Sequence, residues 1–140
     1  MILLVEDSED DAALMLRVLG KQLADSRIRV ARDGSEALEL LANWGNEELH
    51  LILLDVHLPR VSGLEVLEEL RKSPFTRHVP VVMLSGSQDN NDVIRSYDLG
   101  ANSFLVKAGQ AEQFEATMHE IIPYWLHLNH AFPLPGATAG

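Results

Sequence analysis

Two uninterrupted apolar runs constrain the fold of this chain most strongly. The segments "LILLD" (51–55) and "VPVVML" (79–84) are apolar at successive positions, up to the closing aspartate of the first. A strand needs such a run when helices cover both faces of its sheet, as they do in parallel sheets. We therefore expect an α/β domain with a mostly parallel sheet.

Shorter apolar runs alternate with segments of helical period along the rest of the chain. Strands are predicted at residues 2–5, 28–31, 51–54, 79–84 and 103–106. Between them, apolar side chains recur every three or four residues, which is typical of a helix with one face on a sheet. The alternation predicts a three-layer, doubly wound (βα)5 sandwich that binds ligands at the carboxyl ends of its strands. The helical stripes are Ala12, Leu16, Leu19 and Leu23, then Ala37, Leu38, Leu41 and Trp44, then Leu64, Leu67 and Leu70, followed by helices at about 90–99, closed by Gly100, and about 111–122.

Composition limits the classes of partner. With 140 residues, of which 46% are hydrophobic and 23% charged, the chain suits one folded domain. Its formal net charge of −10 repels phosphate backbones and anionic lipids, so neither nucleic acid nor membrane is an expected partner. The sequence has no cysteine, and it shows neither a signal peptide nor a membrane span. We expect a cytoplasmic protein whose partners are proteins or cations.

Carboxylates gather where the first and third predicted strands end. Glu6 and Asp7 follow the first strand in "ILLVEDSEDD", and Asp55 follows the third. At one edge of a sheet these groups would repel one another unless a cation lay among them. Oxygen donors without histidine or cysteine favour a hard ion, so Mg²⁺ is the expected metal, with Mn²⁺ as the alternative. We expect Asp7 and Asp55 to bind it directly and Glu6 to bind it through water.

Polar side chains also follow the fourth and fifth strands, namely Ser85 and Lys107. A carboxylate can act as a nucleophile and carry a phosphoryl group, which makes Asp55 a candidate phosphoacceptor. The Lys107 ammonium and the Ser85 hydroxyl are donors of the kind that stabilises charge on phosphoryl oxygens. The acids that open the first helix are explained by the helix dipole instead. They are Glu9, Asp10 and Asp11.

Four motifs resemble the receiver domain of two-component response regulators: "LLVEDS", "LILLDVHLPRVSG", "VVMLSGS" and "SFLVKA". The resemblance covers nearly the whole chain. It implies a flavodoxin-like fold with strand order 2-1-3-4-5, and a phosphoacceptor rather than an enzyme. By the same resemblance Asp55 is the phosphoacceptor, Glu6 and Asp7 are the acidic pair, Ser85 is the switch hydroxyl and Lys107 contacts the phosphoryl group.

The resemblance assigns roles to neighbouring positions as well. The backbone carbonyl of His57 would be a further metal ligand. Phe104 matches an aromatic position that moves inward with the switch hydroxyl, although core packing explains an aromatic on a strand equally well. Pro59 and Gly63 match the loop and helix start that follow the acceptor.

The chain departs from the family pattern in two places. Ala108 stands where the family usually has a proline after the lysine, so the loop is either trans and rearranged or strained, and the geometry of Lys107 stays open. His57 and Ser87 lie two residues beyond the acceptor and the switch and offer neither a carboxylate nor an amide. Such positions tune hydrolysis in similar proteins, and we expect a phosphoryl lifetime of minutes or longer.

The carboxyl-terminal segment predicts an interaction surface. We expect a receiver domain at 1–127 and an extension at 128–140, without regular structure beyond about residue 130 because of its Pro and Gly residues. The last helix has more apolar side chains than one helix buries on a sheet, and Pro123 should kink or restart it. A symmetric homodimer is expected, unless the tail folds back on its own domain. The predicted interface residues are Phe114, Met118, Ile122 and Trp125.

The "YWL" segment and the late "LP" resemble the stand-alone regulators that pair with bacterial phytochrome histidine kinases and commonly dimerise through this end. The resemblance implies a histidine kinase partner that docks on the first helix, with Leu14 and Val18 as contacts. Since hardly any chain follows the fifth helix, the expected output is an interaction with another protein.

Other functions on the same fold fit the sequence less well. A nucleotide or flavin carrier needs a loop rich in Gly, Ser or Thr after the first strand, where "EDSEDD" would repel a phosphate. An aspartate-nucleophile phosphatase would have its nucleophile after the first strand in an Asp-x-Asp pattern, which is absent. A phosphate-independent dimeric adaptor stays as the alternative function.

Overall fold

The sheet contains five parallel strands, in the spatial order second, first, third, fourth and fifth. This order confirms the predicted α/β architecture. The computed structural model describes residues 1–107 and 109–133 of the chain. The strands are β1 (Ile2–Val5), β2 (Ile28–Ala31), β3 (Leu51–Asp55), β4 (Val81–Ser85) and β5 (Ser103–Val106).

A helix follows each strand along the chain. Four of the five helices are preceded by a Ser or Asp whose side chain accepts a hydrogen bond from a backbone N–H of the first turn, which satisfies an otherwise unpaired donor. No helix in the described ranges combines the length and the apolarity that crossing a bilayer requires. The helices are α1 (Glu9–Gly20), α2 (Gly34–Ala42), α3 (Gly63–Lys72), α4 (Asn90–Asp98) and α5 (Ala111–Pro123), with a 3₁₀ turn (Asp25–Arg27) before β2 and a π-helix (Tyr124–Leu128) after α5.

Alternate strand residues face opposite layers of helices, which gives the domain two apolar cores. Leu3 and Val5 of β1 belong to the core beneath α2 and α3, whereas Ile2 and Leu4 belong to the core beneath α1 and α5. The central strands β1, β3 and β4 are buried at every position, as their uninterrupted apolar runs predicted. The remaining helix, α4, contacts α3 and the edge strand β5.

Strands β3 and β4 each end one residue later than predicted, on a polar side chain. Asp55 and Ser85 are still in register with the neighbouring strand. The start of β4 is also displaced, to Val81 instead of residue 79, because Pro80 has no N–H to give to the sheet. The polar residues therefore lie on the rigid sheet itself and not in the loops that follow it.

Gly100 ends α4, as the sequence predicted. Its φ of 103° is in the left-handed region that glycine adopts without strain. The N–H groups of Gly100 and Ala101 donate to the carbonyls of Tyr97 and Ser96, at 3.0 and 2.9 Å, so that two end carbonyls of the helix are satisfied.

One half-buried arginine forms hydrogen bonds with both loops that precede β4 and β5. Arg71 lies in the last turn of α3, and all its hydrogen-bond acceptors are neutral oxygens. The sequence gave no signal for this role, because four of the acceptors are backbone carbonyls. The acceptors are the carbonyl oxygens of Gly100 (2.9 Å), Val79 (2.9 Å), Thr76 (3.1 Å) and Arg77 (3.3 Å), and Oδ1 of Asn102 (2.9 Å).

Three of the four residues of the predicted dimer stripe on α5 are buried within the domain. Phe114 is 7% exposed, and Met118 and Ile122 are 0% exposed. The reason is that α5 lies beside α1 and presents these side chains to the sheet of its own domain. They are therefore not accessible to a second chain. Trp125, the fourth residue, is partly buried against the same core.

Residues 124–133 fold back on their own domain, which was the alternative to the dimer. Pro123 changes the hydrogen bonding from α to π rather than ending the helix, and the Asn129 N–H donates to the Tyr124 carbonyl at 2.7 Å. Residues 129–133 have no regular structure, and the rings of Phe132 and His78 stack with 3.7 Å between their centroids. Residues 134–140 of the predicted extension lie outside the described residues.

The predicted kinase contacts on α1 are also wrong. Leu14 is 8% exposed and Val18 is 0% exposed, because both face the core that α1 shares with α5. A partner on this helix would meet its exposed side chains instead, among them Ala13 and Arg17.

Candidate functional site

The predicted carboxylates meet at the carboxyl-terminal edge of the sheet. Glu6 follows β1, and its backbone N–H extends the pairing with β2 by donating to the Ala31 carbonyl at 3.0 Å. Glu6 is 1% exposed and Asp55 is 5% exposed, whereas Asp7 is exposed to solvent. One carboxylate oxygen from each of Glu6, Asp7 and Asp55 lies within 4.8 Å of the others. Burying two of these carboxylates beside a third concentrates negative charge at this edge.

Local hydrogen bonds hold the two buried carboxylates, Glu6 and Asp55, in place. The Ser8 N–H donates to Glu6 Oε1 at 3.2 Å, and the Ser8 hydroxyl accepts from the Asp11 N–H at 3.3 Å, which caps α1. On the neighbouring strand, the His57 N–H donates to Asp55 Oδ1 at 2.8 Å. The turns after β1 and β3 thus orient the acids through backbone donors.

Gly63 allows α3 to begin directly against the end of β3. Its N–H donates to the Val56 carbonyl at 2.9 Å. A Cβ atom at this position would overlap the backbone carbonyl of Asp55. The glycine that the family resemblance singled out therefore has a steric role beside the predicted phosphoacceptor.

Lys107 is the cation of this cluster. Its Nζ donates to Asp55 Oδ2 at 2.6 Å, to Glu6 Oε2 at 2.8 Å and to Asp11 Oδ2 at 2.9 Å. The structure therefore brings together the four predicted residues Glu6, Asp7, Asp55 and Lys107. It also adds Asp11, which the sequence argument had assigned to the helix dipole alone.

A signal for Asp11 was present in the helical period. Asp11 lies four residues before Met15 and seven before Val18, and both of these side chains are fully buried. Residues with this spacing share one face of a helix. The period therefore places Asp11 on the face of α1 that packs on the sheet, at the end of the helix nearest the carboxylates. Its neighbour Asp10 is exposed.

Burial and charge shift the pKa values in opposite senses. Burial, reinforced by the nearby Asp55, raises the pKa of Glu6 to about 7, although the hydrogen bond from Lys107 acts against it. Burial alone would lower the pKa of Lys107, but its hydrogen bonds to Asp55, Glu6 and Asp11 outweigh that effect and raise it. Lys107 is therefore a permanent cation, and one positive charge faces several carboxylates.

The donor set fits a hard divalent cation. All three converging ligand atoms are carboxylate oxygens, and the group contains no histidine or cysteine. Carboxylates with this arrangement suit Mg²⁺ or Mn²⁺, which take several oxygen ligands and complete their coordination with water. The residues of the site therefore fit the divalent metal that the sequence predicted.

The two predicted switch residues lie on β4 and β5. Ser85 is fully buried, and its Oγ accepts a hydrogen bond from the Ser87 N–H at 3.0 Å. Phe104 is partly buried against the core beneath α2 and α3. The switch role of Ser85 and Phe104 stays a prediction.

His57 links the site to α4 through its side chain, which the sequence argument did not foresee. Its Nε2 lies 3.1 Å from Asp92 Oδ2, and Asp92 is in the first turn of α4. The same residue donates its backbone N–H to Asp55 Oδ1. Ala108, and with it the predicted departure at the bond after Lys107, lies outside the described residues.

Known response regulators are similar to this chain, Rcp1 among them. The response regulator Rcp1 of Synechocystis is 38% identical over 130 residues, which cover 90% of this chain and 88% of Rcp1. A crystal structure of the Mn²⁺-bound form of Rcp1 superposes with a TM-score of 0.84 at 35% identity, covering 96% of this chain and 98% of that one.

Two further structures are of phytochrome-associated regulators. The phosphorylated cyanobacterial phytochrome response regulator RcpA has a TM-score of 0.85 at 32% identity, with coverage of 93% and 96%. The bacteriophytochrome response regulator AtBRR has a TM-score of 0.66 at 43% identity, with coverage of 86% and 91%.

The family itself is given by a model that spans most of the chain. The model of the response regulator receiver domain matches residues 2–119. The match includes every residue of the carboxylate cluster and the lysine that bonds to it. Together with the strand order and the geometry of this edge, it shows that the chain belongs to the response regulator receiver domains, which are phosphoacceptors rather than enzymes in their own right.

Proposed function

We propose that the protein is a stand-alone response regulator that accepts a phosphoryl group from a histidine kinase onto Asp55, with Mg²⁺, and signals through a changed protein-interaction surface. The environment of Asp55 carries the proposal. One oxygen of this carboxylate is bonded to the His57 N–H, and the other is bonded to Lys107, beside Glu6 and Asp7. This is the surrounding that a carboxylate nucleophile for a charged phosphoryl group requires.

The transfer exchanges one bond to phosphorus for another. A lone pair on an Asp55 carboxylate oxygen forms the new O–P bond, while the P–N bond to the donor imidazole breaks. The imidazole nitrogen keeps the electron pair of the broken bond and takes up a proton from water. With a small donor such as acetyl phosphate, a P–O bond breaks instead and acetate leaves.

The residues around Asp55 prepare this step. Lys107 Nζ lies 2.6 Å from Asp55 Oδ2 and supplies a positive charge that a phosphoryl oxygen can share. Glu6, Asp7 and Asp55, with the backbone carbonyl of His57, would hold the metal. A bound Mg²⁺ supplies charge neutralisation for the carboxylates and the phosphoryl oxygens.

The output of the site is proposed to pass through β4 and β5. The Ser85 hydroxyl would leave its bond with the Ser87 N–H and donate to a phosphoryl oxygen, and Phe104 would then move inward. Both side chains are on strands that pair with each other, Met83 being opposite Phe104. The surface formed by α4 and β5 would change as a result, and the exposed Tyr97 and Ile94 of α4 lie on it.

The proposed kinase belongs to the bacterial phytochrome class, as the names of the similar regulators suggest. A homodimer is also proposed, but through exposed side chains rather than the buried face of α5. Tyr124 is 46% exposed and Leu128 is 76% exposed, on the π-helix that follows α5. Leu128→Glu should shift a dimer to monomer in sedimentation, and an unchanged mass would count against this surface.

Labelling by acetyl phosphate tests the proposed function. Wild-type protein should take up phosphate in the presence of Mg²⁺, lose this ability in EDTA and regain it with Mn²⁺. Asp55→Asn should abolish labelling, because the amide cannot form the acyl phosphate. Asp10→Asn makes the same chemical change at an exposed acid outside the cluster, and should still be labelled.

Two outcomes would contradict the proposal. Full labelling of Asp55→Asn would place the phosphoryl group elsewhere. If the wild-type protein were a dimer but could be labelled neither by acetyl phosphate nor by a kinase, the phosphate-independent adaptor would be supported. The label on wild-type protein should persist for minutes, and its loss within seconds would contradict the expected lifetime.

A further inference from the structure

Asp11 is a third partner of Lys107 for which neither the metal site nor the phosphoacceptor has a use. We propose that Asp11 is a positioning residue, which keeps the Lys107 ammonium at the phosphorylation site while a divalent cation occupies the other carboxylates. The inference rests on the proposed function. It assigns a task to an acid that would otherwise be one more charge at the start of a helix.

The hydrogen bonds of Lys107 leave no donor unused. An ammonium group has three N–H donors and no acceptor. In the structure these meet Asp55, Glu6 and Asp11 at 2.6, 2.8 and 2.9 Å. The converging group of possible metal ligands contains Glu6, Asp7 and Asp55 but not Asp11. Asp11 is therefore the one partner of Lys107 that is neither a candidate ligand nor the phosphoacceptor.

A rigid element sets the position of the Asp11 carboxylate. Its backbone N–H is bonded to the capping Ser8 hydroxyl, and the next N–H, of Ala12, donates to the Ser8 carbonyl at 2.9 Å. Ala12 and Met15, on the same helix, are fully buried. The carboxylate is thus fixed by the first turn of α1 and by the packing of that helix on the sheet.

A bound cation changes what holds the lysine. Glu6 and Asp55 would help to hold a divalent cation, whose charge would repel the ammonium that shares these two carboxylates. The lysine side chain is a flexible four-carbon stem, which could then turn toward solvent. Asp11 offers an acceptor that the cation does not engage, and so it retains the ammonium next to Asp55.

The same contact does not prevent Lys107 from reaching the phosphoryl group. The Asp11 side chain is 42% exposed, and water screens its attraction for the ammonium. A phosphoryl group on Asp55 brings two negative charges and strong acceptor oxygens to within reach of the lysine. Asp11 therefore holds Lys107 before transfer and releases it afterwards.

The test compares two adjacent aspartates on the same helical turn. Asp11→Asn and Asp10→Asn remove the same charge from α1 and the same interaction with its dipole, but only Asp11 bonds to Lys107. At saturating Mg²⁺, we expect Asp11→Asn to slow labelling by acetyl phosphate about two- to fivefold, the effect of losing a partly exposed ion pair. Asp10→Asn should leave the rate unchanged. Equal rates for the two variants would overturn the proposal.

A double-variant cycle separates positioning from a structural role. In a Lys107→Met background, Asp11→Asn should cause no further loss of labelling, because the partner of Asp11 is gone. A loss of the same size in both backgrounds would mean that Asp11 acts through something other than the lysine. The unfolding midpoint of each variant checks that the domain is folded at the assay temperature.

A second readout does not depend on phosphorylation. Hydrogen bonding slows the exchange of ammonium protons with water, so the Lys107 side-chain signal should be visible in ¹⁵N NMR spectra of the Mg²⁺-saturated wild type. Asp11→Asn should remove this signal and Asp10→Asn should keep it. A signal that survives in Asp11→Asn would refute the inference, whereas a wild type that cannot be labelled at all would refute the proposed function instead.

Discussion

The two edges of the sheet each have a cation with several partners, and the partners differ in kind. At the carboxyl-terminal edge, Lys107 donates to three carboxylates. At the amino-terminal edge, Arg71 donates to four backbone carbonyls and one side-chain amide oxygen. Both side chains bring together segments that are distant in sequence, so connectivity alone does not tell the two edges apart.

Charge balance tells them apart. The neutral acceptors of Arg71 need no further ion, and the geometry suits a planar guanidinium with five donors. Burial lowers the pKa of Arg71, which has no carboxylate partner among the residues that the structure describes. The acids around Lys107 carry more negative charge than one lysine can balance. The hydrogen bonds to these acids raise the pKa of Lys107 against the effect of burial. The amino-terminal edge around Arg71 needs no further ion, whereas the carboxylates at the carboxyl-terminal edge around Lys107 fit a divalent cation.

The largest expected effect is at the amino-terminal edge. Arg71→Met should lower the free energy of unfolding by about 2–4 kcal/mol, because several carbonyls in the loops before β4 and β5 lose their donor. The loss should be the same in EDTA and in Mg²⁺. Urea unfolding under both conditions measures it, with Arg71→Lys as a control that keeps the charge but not the fork of donors. If Mg²⁺ restored the free energy of unfolding of Arg71→Met, the contrast between the two edges would be lost.

At the carboxyl-terminal edge the corresponding change should depend on metal. Lys107→Met leaves buried carboxylates without their cation, and we expect a cost of about 2 kcal/mol in EDTA. The cost is limited because Glu6, with a pKa of about 7, can take up a proton. Saturating Mg²⁺ should recover most of the loss, since it neutralises the same acids. If unfolding curves of this variant were identical with and without Mg²⁺, the edge would not be a metal site.

The smallest effect should have the opposite sign. Asp7 belongs to the converging group but is not among the partners of Lys107. Asp7→Asn removes repulsion from Glu6 and Asp55, and should stabilise the metal-free protein by about 0.5 kcal/mol. The gain from Mg²⁺, about 2.7 kcal/mol at a hundredfold excess over Kd in the wild type, should largely disappear. Thermal unfolding with and without EDTA measures both, and destabilisation in EDTA would contradict the argument.

The sequence predicted those parts of the molecule that depend on residue type and period. Uninterrupted apolar runs located the central strands, and the polar residues Asp55, Ser85 and Lys107, at the ends of β3, β4 and β5, pointed to the candidate site. Asp11 was not singled out from Asp10, because the two acids are chemically alike and only the helical period, which places Asp11 on the same face as Met15 and Val18, separates them. Arg71 had no signal at all, because backbone carbonyls are common to every residue.

The apolar side chains of α5 are buried for a geometric reason. A dimer was predicted because these side chains outnumber those that one helix can bury on a sheet. In the structure, α5 packs on β-strand residues and on α1 together, so Met118 and Ile122 are buried without a second chain. The amount of apolar surface was estimated from composition, whereas the number of neighbours is a property of the fold.

The stacking of Phe132 on His78 has a practical consequence. His78 is in the loop that enters β4, so the tail is anchored at the end of the sheet remote from Asp55. Because the chain lacks cysteine, a single thiol introduced at Ala131 would be the sole point of attachment for a fluorophore. Such a dye would lie roughly one strand length, about 15 Å, from Asp55. Its signal would report whether phosphorylation loosens the segment 129–133.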